Sequence, residues 1–126
     1  MTVILPDPEV PIPKTIDILG RVYTIHESWD EYPARTTSSP NVQGTCSWMR
    51  LCIYINPDHA LVNRKSTLIH EILHGLLSFA KDPEGDGHKN KFRDVHELEE
   101  YICASLDDGL GYVLSKNPAL LEFLGQ

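Results

Sequence analysis

The 126-residue chain predicts an α+β fold in which a small, mostly antiparallel sheet packs on one long apolar helix and a C-terminal helix closes over that pair. Three observations carry this expectation. Residues 15–26 alternate apolar and polar side chains around Gly20-Arg21, the pattern of a β-hairpin. Residues 63–80 place Leu68, Ile69, Ile72, Leu73, Leu76, Leu77 and Phe79 on nearly every side of a helix, as a central buried helix requires. Beyond residue 94, Leu98, Ile102, Leu106, Leu110 and Val113 recur at helical spacing and mark one buried face.

Length and composition bound the remaining possibilities. A chain of this size fits one domain with one modest core. With 41% hydrophobic and 23% charged residues, its composition is that of a folded protein. A formal net charge of −7 and the lack of any basic cluster argue against a nucleic-acid partner. No apolar run approaches membrane-spanning length, and the opening MTVILPDPEVPIPKT does not read as a secretory signal, so a cytoplasmic protein is expected. Three cysteines, Cys46, Cys52 and Cys103, without CxxC spacing, read as reduced thiols, with a Cys46–Cys52 metal clip as a minor alternative.

Taken in order, residues 1–14 carry prolines at 6, 8, 11 and 13 and are expected to form an extended arm, with residues 15–126 as the domain. The hairpin over Thr15–His26 follows. The polar, turn-rich stretch 27–45 reads as a long surface loop, and 47–55 as one strand ending at Asn56-Pro57-Asp58. The loop 81–90 then separates the two helices. Asp94 and Glu97 have the spacing of a capping box at the start of the second helix, and Asn117-Pro118 ends it before a short final turn, ALLEFL.

The chemistry sits in His70-Glu71-Ile72-Leu73-His74, an HExxH motif. Residues four apart share a helix face, so both imidazoles reach one ion, and imidazole nitrogen is a natural ligand for zinc. Glu71, beside the two ligands, is the expected general base and acid, taking a proton from a water activated on the metal and passing it to a leaving amine. Chance would supply on the order of 0.02 such motifs in a chain of this composition, so the pattern is specific. Two core histidines with ordinary hydrogen bonds are the plain alternative.

A catalytic zinc site requires a third protein ligand. The extended form HExxHxxGxxH is excluded, because Leu77 and Ala80 occupy its positions. Glutamates of the following helix compete: Glu97 has a role already as a capping partner, Glu100 lies toward the wetter side, and Glu99 borders the face carrying Ile102, Cys103 and Leu106. His88, in the loop GDGHKNKF, is a further option. His26, His59 and His96 read as surface residues. Tyr101 and Tyr112 are candidate oxyanion donors, though packing at a helix edge accounts for both.

From about Gly44 to the C-terminus the chain resembles the small zincin-like metallopeptidases of phages and prophages, compact relatives of the ImmA/IrrE group. The resemblance rests on LCIYINPD, STLIHEILHGLL and ELEEYICASLDDGLGYVLSKNPALLEFL, and TIDILGRVYTI is similar to the opening hairpin of such proteins. It implies a minimal zincin core, a third zinc ligand at Glu99, and a protein substrate such as a repressor in a bacterial host cytoplasm. Where those proteins follow the ligand with E-x-E-A-N-x-F-A, this chain has ELEEYICA, with Glu100 and Tyr101. A second stretch, HEILHGLLSFAKDPEGDGHKNKF, is similar to the SprT-like proteases: His88 and Phe92 match their H-G-x-x-F loop, and Lys89 replaces the glycine. SprT-like enzymes act on DNA-bound proteins, a role the acidic balance does not favour.

The expected function is therefore zinc-dependent hydrolysis of peptide bonds, with His70, His74 and Glu99 on the metal and Glu71 moving the proton. A metal-stabilised binding module without turnover is the alternative from another class. It has no need of Glu71.

Overall fold

Residues 10–36, 42–79 and 95–126 are described by a computed structural model. Among these residues four strands, β1 (Thr15–Ile18), β2 (Arg21–His26), β3 (Gly44–Ser47) and β4 (Cys52–Ile55), precede three helices, α1 (Leu61–Phe79), α2 (Val95–Lys116) and α3 (Pro118–Leu124). The strands form one sheet in the order β1-β2-β4-β3. Its two hairpins are antiparallel and the central β2–β4 pairing is parallel, so the sheet is mixed and the α+β class holds.

The first hairpin lies where the alternation places it. Leu19 and Gly20 form a two-residue turn with φ of 56° and 88°. Positive φ at both positions matches the twist of the flanking strands, and Gly20 adopts it without strain. Asp17 fastens the turn by accepting from the Gly20 N–H at 2.8 Å.

Residues 47–55 differ from the expectation of a single strand. Ser47 pairs with Cys52 across a turn at residues 48–51, so two short strands form a hairpin of their own. Apolar residues on both sides of the turn hide this break in the sequence. Leu51 takes φ 51° there, and the Ser47 hydroxyl accepts from the Arg50 N–H at 3.2 Å.

Strand register sorts the side chains onto two faces. Ile16, Ile18, Tyr23, Ile53 and Ile55 point toward the helices, where Leu68, Ile72 and Leu76 of α1, Val113 of α2, and Leu120 and Phe123 of α3 complete the main core. Cys52 and Tyr54 face the other way and are covered by Tyr32, Trp29 and Ala34. The stretch 27–45 is thus not simply a surface loop. Tyr32 is buried in it and donates to the Cys52 carbonyl at 3.4 Å, because β4, central and buried along its length, needs a cover on its second face.

Two further expectations are corrected. Helix α1 is not buried all round: the sheet and α2 cover two sides, and among the described residues Val62, Ile69, His70 and His74 are exposed. Leu98, expected on the buried face of α2, is 39% exposed, whereas Leu106, Leu110 and Val113 pack on the core. Asn117-Pro118 does separate α2 from α3, and for a specific reason. The buried Asn117 carboxamide accepts from Asp17 N–H at 2.8 Å and donates to Asp17 and Val113 carbonyls at 2.9 and 2.8 Å. It thereby occupies the outer edge of β1.

The described part of the proline-rich segment, residues 10–14, lies against the body. Pro13 is buried, Val10 and Ile12 touch the core, and Val10 exchanges two hydrogen bonds of 3.0 Å with the Gln126 side chain. Residues 1–9, the loop 81–90 with His88, and Asp94 of the expected capping box lie outside the described residues.

Candidate metal centre

Helix α1 carries the HExxH motif on its middle turns, and the 3.6-residue period sends its members to different surroundings. His70 and His74 lie on the solvent side, with their Nε2 atoms 3.1 Å apart and ring planes at 79°. Two nitrogens bound to one tetrahedral ion at about 2.0–2.1 Å lie roughly 3.3 Å from each other. The observed separation fits one shared ion, and also permits a single N–H···N hydrogen bond between the rings.

Glu71 turns inward beside them and is only 4% exposed. One carboxylate oxygen of Glu71 and one nitrogen from each imidazole lie within 4.8 Å of one another, the one such grouping of potential metal ligands among the described residues. Burial raises the carboxyl pKa above its ordinary value, and the charges of His74 and His70 work against that rise. A buried carboxylate next to two imidazoles gains from a cation or a proton, because neither needs the water it has lost.

The cleft over these groups has a volume of about 510 Å³ and is bounded on its other side by β3, through Gly44, Thr45 and Cys46, and by Trp48. Gly44 is required where β3 meets α1: a Cβ there would lie 2.6 Å from Thr67 Cγ2 and 2.7 Å from the Tyr54 carbonyl oxygen. Cys46 adjoins Glu71, and its thiol is pushed up to about 12, first by burial and then by the charges of Glu71 and Cys52. The sequence predicts a loop over 44–45, and the structure places β3 there instead. The alternating run Gly44-Thr45-Cys46-Ser47 was its only local signal.

Cys46 pairs with Ile53 and Cys52 with Ser47, so the two cysteines point to opposite faces of the sheet and form no metal clip. Glu97 and Glu100 lie on the first turns of α2, half-buried and exposed respectively. Glu99 lies on the same turns, and its side chain is outside the described residues, as is all of His88. Tyr112 donates to Asp17 Oδ1 at 3.0 Å, a structural task away from the cleft. His26 is half-buried against Tyr32 and bonded to Thr24 Oγ1 at 2.7 Å, His59 is half-buried, and His96 is exposed. No described helix is long and apolar enough to cross a membrane.

Comparison with known proteins adds one finding. Residues 22–106, from β2 into α2, match the family model described as Peptidase_M78, IrrE N-terminal-like domain. No curated protein and no solved structure gave a match.

Proposed function

The chain belongs to the Peptidase_M78 family of IrrE N-terminal-like domains, and on that footing we propose that it is a zinc-dependent peptidase acting on a protein substrate. The observation that carries this reading is the convergence of the His70 and His74 Nε2 atoms at 3.1 Å beside a buried Glu71. His70 and His74 hold the metal from one helix face, and Glu99 is the third ligand. A zinc ion in such a site polarises the scissile carbonyl and brings the pKa of a coordinated water toward about 7.

The chain's own groups do the rest. The Glu71 carboxylate, whose burial makes it more basic than a solvated one, takes a proton from the attacking water at its Oε atom. The resulting hydroxide oxygen bonds to the carbonyl carbon. Glu71 then delivers the proton to the amide nitrogen as the C–N bond breaks, leaving a carboxylic acid and an amine. Among the described residues β3 lies at the edge of the sheet and pairs with β4, and an extended peptide added along that edge would lie beside the histidines. By resemblance, a regulatory protein such as a repressor in a bacterial cytoplasm is the substrate. With a net charge of −7, nucleic acid is not a partner.

Metal content measured by elemental mass spectrometry tests the assignment. Wild type purified without added metal should carry near-stoichiometric zinc, lost in His74→Ala and Glu99→Gln and kept in His88→Ala. Loss with His88→Ala instead would identify an SprT-like ligand set. Glu71→Gln should keep zinc and lose peptide cleavage by about a hundredfold or more; a biological activity that survives this change would mark a binding module.

A further inference from the structure

We propose that the tip of the β3–β4 hairpin is a docking patch that grips a large apolar side chain of the polypeptide substrate a few residues from the bond to be cut. The inference rests on the peptidase reading above and extends it to substrate recognition.

The tip is chemically unusual for a turn. Turns favour small polar residues, yet this one is Trp48-Met49-Arg50-Leu51, with Trp48 46% and Met49 78% exposed. Large apolar side chains held in water at one place mark a surface that takes a partner. Arg21, Trp48, Met49 and Leu51 line a shallow, open depression beside the tip.

The tip is also held in place. The Leu51 carbonyl accepts from Thr24 N–H at 3.0 Å, and Arg50 Nη1 donates to the Pro33 carbonyl at 3.0 Å. These bonds tie the turn to β2 and to the segment covering the second face of the sheet. A braced apolar surface binds with less loss of conformational freedom than a loose one.

Its position selects the occupant. Trp48 lines both this depression and the metal cleft, so the two adjoin. Trp48 also follows Ser47, the last residue of β3. An extended chain lying along the β3 edge, advancing roughly 3.3 Å per residue, runs from the cleft beside the histidines toward the tip. A substrate strand already in the cleft therefore presents a side chain there. A second copy of this protein would need a separate reason to seat at this point.

The test uses full-length, zinc-loaded Glu71→Gln protein, which reads binding without turnover, immobilised and exposed to a synthetic random decapeptide mixture. Retained peptides should be enriched in Leu, Met or Phe, and a representative Leu peptide should bind about tenfold more weakly after Met49→Ser or Trp48→Ala in that background. Thermal melts of both variants check that the fold is intact, and the exposed Met49 makes its substitution safe for folding. Equal retention by the variants, or no retention at all, overturns the patch. Wild type incubated with the same mixture separates the two claims: cleavage without apolar preference keeps the peptidase and removes the patch, whereas patch-dependent retention without any cleavage by zinc-loaded wild type keeps the patch and removes the peptidase.

Discussion

Within the cleft, Cys46 and Glu71 show how burial changes ordinary groups. The Cys46 thiol is held up to about 12 from its usual 9.0, mainly because little water reaches it. At pH 8 its thiolate fraction should be at least about a hundredfold below that of a free thiol, so iodoacetamide should label Cys46 far more slowly in the native protein than in urea. Mass-spectrometric mapping of the labelled peptide checks this; equal rates would refute it. The same displacement sets a pH trend. Above about pH 9 the native thiol keeps a proton that the unfolded thiol has released, so this group's contribution to stability is complete below pH 9 and falls as pH rises toward about 12. Glu71 is displaced in the same direction by its burial, and the charges of His74 and His70 work against that rise.

Between elements, the junction of α2 and α3 with β1 is made by one polar side chain. Asn117 makes three hydrogen bonds, of 2.8, 2.9 and 2.8 Å, that together satisfy the outer main-chain groups of Asp17 and the Val113 carbonyl. Asn117→Ala leaves the part-buried Asp17 groups and the buried Val113 carbonyl without these partners, at a cost of about 2–4 kcal/mol. A lower urea midpoint at unchanged m-value should report this loss. A change within 0.5 kcal/mol would mean that water replaces the carboxamide there. In the sequence, Asn117-Pro118 was legible only as a helix end, because the partner strand lies a hundred residues earlier.

At the scale of the whole molecule, metal binding and folding are linked, since the two imidazoles meet only on the folded helix. Zinc at a hundredfold excess over its Kd should stabilise the protein by about 2.7 kcal/mol. For a domain of this length that is a rise in Tm of roughly 10 °C. A chelator should reverse the rise, and His74→Ala should abolish it. A Tm that ignores zinc in wild type would refute the metal site whatever the activity. Net charge acts at this scale too: at −7 the protein as a whole repels polyanions.

Local order along the chain was enough to determine the first hairpin, the approximate extents of α1 and α2, the break at Asn117-Pro118 and the grouping of His70, Glu71 and His74 on one helix, because each depends on spacing within about one helical turn or one strand pair. Tertiary structure decided what lies across from them. It divided 47–55 into two strands, turned Cys46 and Cys52 to opposite faces, buried Tyr32 under β4, and left the histidines exposed while Glu71 went inside. Those outcomes depend on which strand pairs with which and on how much surface so short a chain can cover. Periodicity reports which side of an element is apolar; only the pairing of distant segments fixes what that side meets.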